Sequence, residues 1–161
     1  MRTALIALVL GAFLLPMTAQ AAKSATENSV KTAVTQQLNR YEAALNASDV
    51  DRVMTLYADD AVFMPQHSPP AVGRDAVRAA YRQVFNTIKL DIRFTIDEIR
   101  PMSRDWAFAR TRSNGTAKPL SGDRQASAEG NQEIFLLHRE TDGQWRFARY
   151  IFSTTNPPRL Q

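Results

Sequence analysis

The sequence predicts an α+β fold in which a curved antiparallel sheet packs on three N-terminal helices. Three observations point there. Apolar residues recur at helical spacing in three stretches before residue 90. From Leu90 the period drops from 3.6 to 2, and alternation then runs through long segments to Thr154. Thr141-Asp142-Gly143 joins the last two segments as a hairpin turn, so those two run antiparallel. Helices followed by a meander of strands indicate segregated layers rather than a parallel α/β sheet.

The first helix reads from Ser29, with Val30, Val34, Leu38, Tyr41 and Leu45 on one stripe. It ends at Asn46-Ala47-Ser48-Asp49. Ser48 or Asp49 can cap a second, shorter helix, with Asp51 placed where the helix dipole favours a negative charge. Its apolar face is Val50, Val53, Met54 and Tyr57. Ala61 to Met64 is a short strand stopped by Pro65, and Gln66 to Gly73, with Pro69 and Pro70, reads as an irregular loop. Asp75 caps a third helix whose stripe is Val77, Tyr81, Val84 and Ile88.

Leu90, Ile92, Phe94 and Ile96 then form one face of a strand. Ile99 is out of phase with them, which a bulge near Asp97-Glu98 explains. Trp106, Phe108, Arg110 and Arg112 alternate with Ala107, Ala109 and Thr111 in a second strand. Asn114-Gly115 and Lys118 to Asp123 read as loop. Gln125 to Arg139 and Gln144 to Thr154 are the last two strands.

The chain has 161 residues, which suits a single domain, and 20 basic against 16 acidic side chains. The two signs are interleaved, so no basic stripe for nucleic acid is expected. The absence of Cys excludes disulfides, thiolate nucleophiles and Cys-ligated metals. Two distant His give no metal-ligand spacing, and no metal or cofactor is expected. There is no P-loop, no G-x-G-x-x-G and no Ser/His/Asp signature. Asn46-Ala47-Ser48 and Asn114-Gly115-Thr116 are formal glycosylation sequons.

The start of the chain reads as a secretory signal peptide over residues 1–21. Met1-Arg2-Thr3 is the positive start, Ala4 to Leu15 the apolar run, and Ala19-Gln20-Ala21 the cleavage pattern. The run is too short to span a bilayer, so no membrane anchor is expected after cleavage. The expected product is an exported domain, residues 22–161, in the periplasm or secreted.

Four stretches carry a family resemblance. Arg40-Tyr41-Glu42-Ala43-Ala44-Leu45-Asn46-Ala47-Ser48-Asp49, Leu56-Tyr57-Ala58-Asp59-Asp60-Ala61, Pro70-Ala71-Val72-Gly73-Arg74-Asp75-Ala76-Val77 and Asp142-Gly143-Gln144-Trp145-Arg146-Phe147-Ala148-Arg149-Tyr150 occur in this order. Together they resemble the nuclear transport factor 2-like superfamily, in particular its SnoaL-like, SgcJ/EcaC-type proteins, with a distant similarity to ketosteroid isomerases. The resemblance spans about residues 30–156. It implies a cone-shaped, curved sheet on three helices, an apolar pocket at the open end, and a homodimer formed through the outer sheet face. Such folds host many activities, so it does not name one.

The candidate site follows from these residues. Tyr41 matches the position at which ketosteroid isomerases hold a tyrosine that donates to a substrate oxyanion, a task suited to a neutral phenol. The isomerase base is missing at its matched place, because Phe63-Met64-Pro65-Gln66 holds no carboxylate. His67 is the nearest titratable group and a possible base, or an exposed loop residue without a role. Arg110, in phase with Trp106 and Phe108, is expected inside the sheet and in need of a partner. Glu133 on the next strand is that candidate, either as a structural ion pair or as a pair orienting a polar ligand group. Matching the hairpins places Asn131 or Glu133 near the isomerase's second carboxyl. Ala148, Tyr150 and Phe152 are expected to face the pocket, joined by Tyr57, Tyr81 and Phe85 from helices and by Met64.

The leading expectation is a protein that binds a small apolar molecule with one polar end. The alternative is an isomerase or cyclase in which Tyr41 is the oxyanion donor and His67 or Glu133 the base. A third class is a module that docks another exported protein through its sheet face.

Overall fold

The structure, a computed structural model, describes residues 15–157. Among these residues the order is α1 (Leu15–Ala47), α2 (Val50–Thr55), β1 (Tyr57–Met64), β2 (Ala71–Val72), α3 (Arg74–Thr87), β3 (Ile88–Pro101), β4 (Trp106–Pro119), β5 (Ser127–Arg139) and β6 (Trp145–Thr154). Most of the signal-peptide segment lies outside the described residues, and Leu15 to Ala21 continue the α1 backbone. No helix among the described residues is long and apolar enough to cross a membrane.

The α+β class agrees with expectation, but the cone-shaped antiparallel sheet does not. The six strands form an open sheet in the order β2-β1-β6-β5-β4-β3, whose edges β2 and β3 do not pair with each other. The sheet is also mixed, since β1 runs parallel to β6 while all other neighbours are antiparallel. Alternation shows which residues share a face. It carries no information on closure, and the turns did not reveal that β1 would lie beside the last strand.

Several element boundaries shift for local reasons. Asp49 caps α2 as expected, accepting from the Arg52 amide, but the helix ends before Tyr57, which opens β1 instead. The Pro-rich loop contains the two-residue β2, paired with Val62 and Phe63. Gly73, not Asp75, precedes α3, in the left-handed region at φ 82°. Asn114-Gly115 is not a turn but lies inside β4, opposite Arg93 and Ile92. Glycine is required there by close approach: a Cβ would stand 2.0 Å from the Asp91 carbonyl oxygen. The bulge near Asp97 is present as expected, between Ile96 and Glu98.

One core joins all the layers. Val34, Leu38 and Tyr41 of α1, Val77 and Tyr81 of α3, and Phe135, Leu137 and Phe147 of the sheet are buried together. Where α1 crosses the free edge of β3, its side chains complete the ladder. Asn46 donates to the Ile92 carbonyl at 2.8 Å and accepts from the Ile92 amide at 2.9 Å. Glu42 accepts from the Phe94 amide at 2.7 Å. Two otherwise open donors and one acceptor of an edge strand are thereby satisfied. Both the nitrogen and the oxygen of the Asn46 amide are engaged in this, so its sequon serves the fold.

Candidate functional site

The face of β4 that turns inward carries small residues. Ala107, Ala109, Thr111 and Ser113 are buried, while Trp106 is exposed and Phe108 half-buried. Each small residue lies opposite a larger partner on β5: Ala107 opposite Leu137, Ala109 opposite Phe135, Thr111 opposite Glu133 and Ser113 opposite Asn131. Large and small side chains thus interlock under α1. This reverses the expectation for Arg110, whose phase with Trp106 and Phe108 places it on the outer face.

Arg110 and Glu133 therefore do not pair. Arg110 has a side chain 49% exposed and donates to Asp97 at 3.0 Å, with Glu98 at 3.7 Å. Arg112 forks onto both oxygens of Asp97, at 2.8 and 3.0 Å. The hydrogen bond from Arg112 holds the Asp97 carboxyl below its ordinary range. The bulge turns Asp97 outward to receive both guanidinium groups.

Glu133 points inward and is only 4% exposed. Its carboxylate accepts from the Thr111 hydroxyl, from the Ser113 hydroxyl at 2.8 Å and from the Tyr150 hydroxyl at 3.5 Å. Burial raises its pKa, and the three hydroxyl donors offset this only in part. Ser113 spends its proton on Glu133 and so accepts from the Asn131 amide nitrogen at 3.3 Å. That orientation leaves Asn131 Oδ1 buried without a hydrogen-bond partner.

The chain has four tyrosines, and all four hydroxyls gather in this region. Tyr81 Oη lies 2.5 Å from Tyr41 Oη and 2.6 Å from Tyr57 Oη. Three phenols share two hydrogen bonds, so one proton of the set remains to be given elsewhere. Burial raises the pKa of all four, which keeps them as neutral donors. Their rings pack closely: Tyr150 stacks on Phe135 with centroids 4.2 Å apart, and Phe63 stacks between Tyr81 and Tyr150.

A cavity of about 200 Å³ lies between α1, α3 and the inner sheet face. Six predicted residues line it: Tyr41, Tyr81, Asn131, Glu133, Tyr150 and Phe152. Tyr57 is buried behind Tyr81, and Phe85 packs on Tyr81 with centroids 5.8 Å apart; neither lines the cavity. Met64 sits opposite the exposed Ile151 and away from the cavity lining. His67 is exposed on the loop, at φ 57°, and also stays outside the lining. Ala148 occupies an irregularity in β6, where Phe147 pairs with Leu137 and Arg149 with Leu136, so Phe147 takes the inward place.

Sequence reasoning missed Phe63, Gln66, Ser113 and Glu129, which also line the cavity. Phe63 was legible as the aromatic member of the short strand. Ser113 was legible from its phase with Ala107 and Ala109. Gln66 carried no signal; it holds the loop to the sheet by accepting from the Thr154 amide at 2.5 Å. Among the described residues, no group of three His, Asp or Glu converges as metal ligands do.

The chemistry available is therefore three phenols, a buried carboxyl and an open amide oxygen around a ring-sized apolar space. A SnoaL-like domain model matches residues 38–154. Among solved structures, a ketosteroid isomerase-like protein from Erwinia carotovora atroseptica is 33% identical. That match covers 78% of this chain and 96% of the other, with a TM-score of 0.75. A conserved protein from Planctomyces limnophilus is 21% identical over 79% of this chain and 98% of its own, with a TM-score of 0.67.

Proposed function

The chain belongs to the SnoaL-like domain family, and from that premise we propose that it binds a small ring-bearing molecule with one polar end. The observation that carries this reading is the cavity of about 200 Å³, lined by the rings of Tyr41, Phe63, Tyr81, Tyr150 and Phe152 together with the polar Glu133 and Asn131. Ligand pockets combine an apolar lining with a few placed polar groups in this way. The volume is small. A cavity of about 150 Å³ holds a benzene ring, and drug-sized ligands occupy about 300–1,000 Å³. A single ring with short substituents fits; a steroid is too large for the cavity as it stands.

Thermal-shift and ligand-observed NMR screening with monocyclic compounds tests the reading. Bound rings should raise the Tm, and Val84→Trp, which fills the cavity from α3, should abolish the effect while the fold survives. No ring compound binding at millimolar concentration would reject it.

A second reading is an acid–base enzyme of isomerase or cyclase type. It is favoured by one observation: the Tyr41 and Tyr81 phenols and the Glu133 carboxyl line the same cavity. Tyr41 would donate to a developing oxyanion and Glu133 would move the proton. Loss of a general base costs about 10²–10⁴-fold in rate. Turnover of a small cyclic enone should fall by that order in Glu133→Gln and also fall in Tyr41→Phe. Equal rates in all three proteins would remove this reading.

Export and self-association complete the proposal. Cleavage after Ala21 would give a mature chain starting at Ala22, which N-terminal sequencing of the exported protein tests. The outer sheet face carries Ile134 and Ile151, 42% and 45% exposed and directly opposed in register. A homodimer would cover them, and Ile134→Glu should then shift sedimentation to the monomer.

A further inference from the structure

Among the described residues that line the cavity, Ser113 carries the only aliphatic hydroxyl, and neither reading above employs it. Its Oγ donates to Glu133 Oε1 at 2.8 Å. The Thr111 hydroxyl donates to the other carboxylate oxygen, Oε2, and so fixes the carboxylate with Oε1 toward Ser113. A hydroxyl within hydrogen-bond reach of a base, itself oriented by a third group, is the arrangement that activates a nucleophile. A guanidinium partner would hold a carboxylate in its charged form and weaken it as a base. Glu133 accepts from hydroxyls instead, and Arg110 faces the other side of the sheet toward Asp97. Burial raises the Glu133 pKa, which makes it the stronger proton acceptor. Two donors flank the pair: Asn131 Nδ2 lies 3.3 Å from Ser113 Oγ, and the Tyr150 hydroxyl lies 3.5 Å from the same Glu133 Oε1. Register holds the parts together, with Thr111 opposite Glu133 and Ser113 opposite Asn131 on β4 and β5.

Resting on the pocket reading above, we propose that Ser113 and Glu133 form an acyl-transfer dyad, so that the cavity takes small aryl esters and Ser113 receives their acyl group. Ser113 Oγ attacks the ester carbonyl carbon while its proton passes to Glu133 Oε1. The carbonyl electron pair moves onto oxygen, where the Tyr150 hydroxyl and the Asn131 amide nitrogen are the donors that stabilise it. Collapse restores the carbonyl and breaks the bond to the aryl oxygen, which leaves with the proton held by Glu133. Water then attacks the acyl-serine and gives one proton to Glu133. The carboxylic acid departs, and that proton returns to Ser113 Oγ. The aryl ring occupies the apolar part of the cavity, beside Val84 and Leu90.

The test uses phenyl acetate on the wild-type chain. Phenol release is followed by absorbance, and an acid-quenched sample is mapped by peptide mass spectrometry. Phenol should be released faster than in buffer alone, with one acetyl group on Ser113. Ser113→Ala should abolish both, and Glu133→Gln should slow release by about 10²–10⁴-fold. The wild-type rate should climb with pH as Glu133 loses its proton, and Glu133→Gln should lack that limb. No release above buffer, or release that Ser113→Ala leaves unchanged, overturns the dyad. Should that variant fail to fold, phenylmethanesulfonyl fluoride on the wild-type chain decides: the label should map to Ser113, and its absence there overturns the proposal. Acetophenone, the unreactive mimic, separates the two readings by calorimetry. If it binds while no acyl transfer occurs, the dyad falls and the pocket stands; if neither occurs, both fall.

Discussion

Removing one oxygen from Tyr81 would strand two others. Tyr81 Oη is the shared partner of Tyr41 and Tyr57, all three deep in the core. Tyr81→Phe keeps the ring that stacks on Phe63 but leaves two buried phenols short of a partner. The expected cost is about 1–3 kcal/mol in urea denaturation, at the level of an unsatisfied buried polar group. A loss below about 0.5 kcal/mol would mean that Tyr41 and Tyr57 find each other once Tyr81 is silent. Glu133 behaves in the opposite sense. Burial raises its folded-state pKa, and the groups facing it are Thr111 and Ser113 from β4, Asn131 from β5, Tyr150 from β6 and Tyr41 from α1. An unfolded Glu titrates near about 4.3. Between that value and the raised folded value the native state holds more protons, so stability falls as pH rises through the window. Glu133→Gln should therefore match the wild type at pH 4 and exceed it at neutral pH in melting experiments without ligand. A wild type that gains on the variant as pH rises would contradict the direction of the shift. The site was half legible at this scale. Tyr41, Tyr81 and Tyr150 could be placed by pattern and resemblance. Arg110 could not, because the inward face of β4 is marked by small residues, and the larger apolar residues beside Arg110 suggested the wrong side.

Elements were read more reliably than their ends. The switch from helical to alternating period located β3 through β6, and the phase error at Ile99 located the bulge that now presents Asp97 to Arg110 and Arg112. Proline and glycine misled twice. The Pro-rich loop hid β2, and Asn114-Gly115 resembled a turn when Gly115 only makes room for the Asp91 carbonyl. No local pattern announces that a helix side chain will complete a strand edge, as Asn46 does for Ile92. That contact makes its own prediction. Asn46→Ala removes one donor and one acceptor from part-buried backbone groups, and should cost about 1–3 kcal/mol by the usual values for hydrogen bonds lost in the interior. Amide exchange should show where the loss falls, with Ile92 the most accelerated position in β3. Uniform acceleration along β3 and β4 would mean that the contact supports the whole sheet rather than its edge.

At the scale of the molecule, one core spans α1, α3 and the inner sheet face, so helix and sheet layers should unfold together. The arrangement of the layers was legible, because helical stripes precede alternating strands. The openness of the sheet was not. It depends on β1 settling parallel to β6, a pairing between segments about eighty residues apart that no local signal encodes. The same core sets how much of the chain the fold requires. Ser24 to Ser29 of α1 are largely exposed, and the buried stripe starts at Val30 and runs through Val34, Leu38 and Tyr41 to Leu45. A chain beginning at Ala22 keeps every described core residue and should therefore melt close to the full chain. A chain beginning at Gln36 loses Val30 and Val34, whose burial contributes about 1.5–3 kcal/mol each. That sum is a large part of the roughly 5–15 kcal/mol by which domains are stable. The shorter chain should show a strongly lowered midpoint in urea, still with coincident fluorescence and circular-dichroism transitions. If the sheet instead retained the full-length midpoint, the first turns of the α1 stripe would be dispensable, and the single-core account would have to give way to a sheet that is stable with only the later part of the helix against it.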